Sequence, residues 1–134
     1  MKVKDVEKWK FKIYSSRAKQ CLALARVAFA NGDYDGCIIT AIHAAISAQD
    51  AFCVYAKGQR YTGTDHREAV EFFKVTNPAS EDLKAAARHI YSLISIKTDA
   101  EYGERAMRGE EAELALKHAE RFVMWVEGKT ASVL

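Results

Sequence analysis

The stretch from Asp33 to Lys57, DYDGCIITAIHAAISAQDAFCVYAK, limits the fold more than any other part of the chain. At helical spacing it places Tyr34, Ile38, Ala41, Ala45, Ala48, Phe52 and Tyr55 on one continuous face. Ile39, Ile42, Ile46 and Cys53 form a second apolar row beside it. A helix that is apolar over most of its circumference belongs in the middle of a bundle. One row breaks the pattern: Gly36, Thr40, His43, Ser47 and Asp50, again at steps of four and three. A polar seam on a buried helix needs partners, because each unpaired buried polar group costs about 1–3 kcal/mol. The seam is therefore expected at a helix or subunit interface, with a ligand-facing groove as the alternative. Catalysis by His43 and Ser47 would also need an oxyanion site, and the sequence offers none.

The flanking segments supply the rest of a bundle. Residues from about 4 to 30 read as a first helix, with Phe11, Tyr14, Ala18, Cys21, Ala25 and Phe29 on one face and Trp9, Ile13, Leu24 and Val27 widening it. Asn31-Gly32 ends it, and the short link implies an antiparallel neighbour. Asp33 or Asp35 can cap the central helix. Gly58 to Thr64 reads as a loop, and Asp65 with Glu68 forms the aspartate version of a capping box. A short third helix follows, with Val70, Phe72 and Phe73 inward; Asn77-Pro78 stops it. Ser80 caps a fourth helix of about 20 residues with Leu83, Ala87, Ile90 and Ile94 inward, interrupted near its end by Gly103. After a polar connection, a last helix from Glu110 to Glu127 turns Ala112, Ala115, Ala119, Phe122, Val123 and Val126 inward. Gly128 is expected to end it, leaving about 129–134 as a loose tail. No strand-like alternation is present. One proline and seven glycines also favour few, long elements. The expectation is a single all-α domain over residues 1–134, an up-and-down bundle of four to five helices.

A net charge of +2 neither implies nor excludes a nucleic-acid partner. Cys21, Cys37 and Cys53 have no metal spacing and read as free thiols in a reducing compartment. No stretch reads as a membrane span or a signal peptide, so a cytoplasmic location without membrane contact is expected. No glycine-rich phosphate loop, carboxylate metal motif or zinc spacing occurs, so no cofactor is expected.

Two blocks carry a resemblance to a known family. The first, AIHAAISAQDAF…KGQRYTGTDHREAVEFF between Ala41 and Phe73, is a small-residue helix, a glycine loop, and a histidine that opens an apolar helix. The second is LISIKTDAEYG followed by EEAELALKHAERFV. In this order and spacing they resemble the HEPN family of small helical bundles. The resemblance implies a four-to-five-helix bundle that is usually a homodimer. Many such domains are metal-independent RNA endonucleases. An arginine before the last helix holds a phosphate, and a histidine four to six residues later serves as acid or base. Others lack that pair and act as partners of small nucleotidyltransferases, as antitoxin-like subunits or as scaffolds.

The matching junction reads Lys97-Thr-Asp-Ala-Glu-Tyr102. Lysine binds phosphate as a point charge without a fork, and tyrosine is a poor base at neutral pH. Asp99 and Glu101 would repel RNA. A second arginine-to-histidine pattern, Arg60 and His66, lies in the loop before the third helix. Arg105 and Arg108 are phosphate-binding candidates together with Lys97, their alternative being solvated ends beside Glu104 and Glu110. Arg88-His89, with Lys84 one turn back, adds a basic patch. The expectation is an accessory module that binds a nucleotide or a protein such as a nucleotidyltransferase, the alternative being a metal-independent RNA endonuclease.

Overall fold

Two glycines with positive φ, Gly32 at 77° and Gly58 at 63°, bracket the central helix and let the chain reverse at each end. The computed structural model describes residues 1–131, and only the backbone of 99–101. In chain order the elements are β1 (Val3–Asp5), a 3-10 turn (Lys8–Lys10), α1 (Phe11–Ala30), α2 (Tyr34–Lys57), β2 (Gln59–Tyr61), α3 (His66–Lys74), α4 (Glu81–Tyr102) and α5 (Gly109–Thr130). The all-α bundle of four long helices and one short one is the fold.

Packing follows from the apolar rows. α2 lies against α1, α3, α4 and α5. Its Ala41, Ala44, Ala45, Ala48 and Ala51 are at most 1% exposed, and Ala112, Ala115 and Ala119 of α5 are 0% exposed. Small side chains on both helices let the backbones come close, so that Cys37 Sγ reaches the Ala112 carbonyl at 3.9 Å. Phe11 meets Tyr55 and Phe29 meets Tyr34, which makes α1 and α2 antiparallel. Asp82 accepts from Trp125 Nε1 at 2.9 Å and pairs with Lys129 at 2.9 Å, which makes α4 and α5 antiparallel. By length and composition alone α2 could cross a bilayer, which corrects the expectation that no stretch does. Most of its apolar window is buried in the bundle, as befits a core helix.

Several boundaries differ from expectation. The first helix starts at Phe11 because residues 3–5 form a strand, paired antiparallel with β2 in the register Val3↔Tyr61, Lys4↔Arg60, Asp5↔Gln59. Three-residue strands are too short to show alternation, so the pattern could not reveal them. Trp9, Ile13, Leu24 and Val27 are exposed and do not widen the core face. α5 continues through Gly128 to Thr130, whose hydroxyl donates back to the Val126 carbonyl at 2.9 Å. Of the expected tail, 129–130 are thus helical, and 132–134 lie outside the described residues.

The caps also differ in detail. Asp65 accepts from the backbone N–H groups of Arg67 and Glu68, and Ser80 Oγ accepts from Leu83 N–H. Replacing Asp65 by alanine is expected to cost about 1 kcal/mol in urea unfolding, the usual value of an N-cap; an unchanged midpoint would contradict the cap. Neither Asp33 nor Asp35 caps α2 with its side chain. Asp35 instead accepts from Met107 N–H at 2.9 Å, fastening the α4–α5 connection to the start of α2.

Candidate functional site

β2 leaves α2 through Gly58 and runs back along the bundle, which carries Arg60 and Tyr61 to the side of α2 where Asp50 emerges. α3 then starts at His66, one turn before Ala69. These elements and α4 enclose a recess of about 140 Å³. Asp50, Arg60, Tyr61 and His66 supply its polar wall; Ile42, Ile90 and Leu93 are on its apolar side. Gly63 closes one edge. A Cβ there would overlap the Tyr61 hydroxyl, so only glycine lets that ring lie across the loop.

The electrostatics centre on Asp50. Its side chain is 14% exposed and pairs with Arg60 at 3.6 Å. Burial pushes its carboxyl up to about 6, and the Arg60 and Arg17 charges offset this only in part. The Arg60 guanidinium also stands over the Tyr14 ring at 5.6 Å, with Arg17 over the same ring at 5.4 Å. The Arg60 Nε–H is buried and has no hydrogen-bond acceptor. Gln49, one residue before Asp50, is 4% exposed, with its Oε1 also unpartnered. A small acceptor group such as a carbonyl or phosphate oxygen in the recess would meet the Arg60 residue in its wall. The volume admits the end of a ligand but falls short of the roughly 300 Å³ of a full small-molecule pocket.

The polar seam of α2 is not one buried row. Thr40 satisfies itself within the helix, donating to the Gly36 carbonyl at 2.8 Å and the Cys37 carbonyl at 3.2 Å. His43 is exposed and Ser47 half-buried. Only Asp50, at the far end, reaches a buried cluster. The structure thus joins two sets that the sequence held apart, Asp50 from the seam and Arg60 with His66 from the loop.

The residues before the last helix do not converge in this way. Lys97 is half-buried, and Tyr102, the last residue of α4, is 77% exposed. Five residues apart on one helix, the two side chains leave the axis about 140° from one another. Asp99 and Glu101 have side chains outside the described residues. Arg105 forks onto Glu111 at 2.7 and 2.9 Å, and Arg108 pairs with Glu110 and Glu111 at 3.4 Å. The Arg105 hydrogen bonds, with the Arg108 backbone N–H, hold the Glu111 carboxyl down at about 2. Both arginines are thus built into the start of α5 instead of forming an open phosphate site. Among the described residues no group of three or more His, Cys, Asp or Glu could hold a metal ion.

The family model described as HEPN domain matches residues 11–129. The chain belongs to the HEPN family. No curated protein matches it. The match spans α1 through almost all of α5, so this HEPN domain includes both the recess and the junction before the last helix. At that junction it carries Lys97 and Tyr102. Sequence reasoning missed Tyr14 and Tyr61 as neighbours of the Asp50–Arg60 pair.

Proposed function

We propose that this HEPN domain is a cytoplasmic, homodimeric accessory module that binds a nucleotide or a protein partner such as a nucleotidyltransferase and does not itself cleave RNA. The observation that carries the reading is the recess at Asp50 and Arg60, with the Arg60 residue part of its polar wall. A guanidinium in a concave wall can fork onto a carbonyl or phosphate oxygen. The splayed Lys97 and Tyr102 also favour binding over chemistry, since acid–base catalysis needs both groups within reach of one substrate. For the dimer, Ile13, Leu24 and Val27 offer an apolar stripe on the outer face of α1.

One observation favours the alternative of a metal-independent RNA endonuclease: Arg60 and His66, the pair with the arginine-to-histidine spacing, border the same recess. The deciding experiment is RNA cleavage by the purified protein in chelator, alongside Lys97→Ala, Tyr102→Phe and His66→Ala. The expected result is no cleavage by the folded wild type. Binding of nucleoside monophosphates is expected to weaken about tenfold in Arg60→Lys, which keeps the charge and loses the Nε donor. Wild-type cleavage abolished by Lys97→Ala and Tyr102→Phe would place a nuclease at the junction. Cleavage lost only in His66→Ala would place it at the recess. Either outcome overturns the accessory reading.

A further inference from the structure

On the α4–α5 seam, two imidazoles face each other. His89 Nδ1 and His118 Nδ1 are 2.8 Å apart, and both residues are half-buried. At that distance one ring donates and the other accepts. The accepting ring must then carry its own hydrogen on Nε2, a donor that the pair does not consume. Arg88 precedes His89 on α4, and Arg121 lies one turn beyond His118 on α5. Both arginines are exposed. Among the described residues neither makes an ion pair, nor do Arg17 and Arg67, whereas Arg26, Arg60, Arg105 and Arg108 have carboxylate partners. Nearby Lys84 and Lys117 are occupied by Glu81 and Glu113 on their own helices.

The charges acting on the pair are all cationic. His89 is held below its ordinary range by burial first, then by His118, Arg121 and Arg88; His118 is lowered by burial and then by Arg121. None of these charges comes from α1, α2 or α3. The bond from Tyr91 to Glu71 of α3 is on another face of α4, two residues from His89. Among the described residues the part of the seam around the two imidazoles thus collects two fixed cations and no carboxylate; Asp82, two turns before His89 on α4, is taken up by Trp125 and Lys129.

We propose that this seam is an oxyanion site for phosphate, with Arg88 and Arg121 as the charge-bearing forks and the His89–His118 pair as a donor that gains a proton when the anion binds. Guanidinium forks match phosphate oxygens in geometry. A bound anion reverses the sign of the field at the imidazoles and favours the second proton. Binding and protonation are linked reciprocally, so phosphate raises the histidine titration midpoints, and an oxyanion of fixed charge binds more tightly as pH falls. The site is separate from the recess at Arg60, and its test does not depend on what the recess binds.

The probe is inorganic phosphate titrated into the full chain at pH 5.8 and 7.5, with the histidine Cε1–H resonances followed by NMR. Saturable shifts of His89 and His118 are expected, with higher histidine titration midpoints in saturating phosphate than without it. The double variant Arg88→Ala/Arg121→Ala removes only exposed side chains and is expected to bind about tenfold more weakly. A short oligoribonucleotide that competes for the same resonances would identify the physiological phosphate as a diester; failure to compete would identify a free phosphate or monoester. Absence of a saturable shift at millimolar phosphate, or equal shifts in wild type and double variant, would overturn the site.

Discussion

Replacing Phe73 by alanine is expected to lower the free energy of unfolding by about 3–5 kcal/mol. Phe73 is 0% exposed and meets three aromatic rings: Phe52 at 5.3 Å, Phe122 at 5.5 Å and Trp125 at 5.8 Å, each edge to face. These rings come from α2 and α5, so one side chain of the shortest helix plugs the end of the bundle. Truncation removes the buried ring, its edge contacts and the filling of the space between two long helices. Those helices are held by close alanine contacts elsewhere and cannot collapse onto the hole. A domain of this size has about 5–15 kcal/mol in total, so the variant loses a large share. Urea unfolding of wild type and Phe73→Ala, with Phe73→Leu as a milder truncation, measures it. A loss below about 1 kcal/mol in the alanine variant would mean that α3 is only loosely docked.

The second large effect is a pH dependence with an unusual sign. Asp50 goes from an ordinary value of 3.8 to about 6 on folding, with burial the largest cause. The folded state therefore binds this proton more tightly than the unfolded chain does. The contribution of Asp50 is fully present below about pH 4 and is lost as pH rises through about 6, a change of about 2–3 kcal/mol. His89 and His118 act in the opposite direction. Their folded values are lowered, so stability falls as pH drops below their ordinary 6.5. The clean comparison is thus between wild type and Asp50→Asn across pH 4 to 7.5, in which the histidine contribution cancels. Asparagine is expected to match wild type at acid pH and to exceed it at neutral pH. If Asp50→Asn is instead the less stable protein at pH 7.5, the ion pair with Arg60 outweighs the cost of burial.

Periodicity carried the long helices because each turns a wide apolar face inward over several turns. Leu83, Ala87, Ile90 and Ile94 of α4, and the six inward residues expected of α5, are all buried. In helix α1 the apolar pattern is wider than the buried face. Its outward Ile13, Leu24 and Val27 have the same composition as a core row, and composition cannot tell which side of a peripheral helix has a neighbour. The site was half legible for a different reason. Asp50 and the Arg60–His66 pattern each stood out, but ten residues and a change of direction separate Asp50 from Arg60. The reversal at Gly58, which lays β2 back along α2, brings them together, and a three-residue strand leaves little trace in side-chain pattern. The His89–His118 contact depends on the relative rotation of two helices that the sequence fixes only to within a turn.

The β1–β2 pairing has one more consequence, for the way the molecule breathes. Three residues pair on each side, β1 is exposed throughout, and nothing but its neighbour holds it. Segments of this kind open at a small fraction of the global unfolding free energy, whereas the amides of α2, buried among four helices, exchange only when the whole domain opens. Arg60 sits on the strand that pairs with this exposed edge, and Asp50 on the buried helix. The ion pair therefore links the strand pair at the rim to the helix whose amides are expected to exchange last.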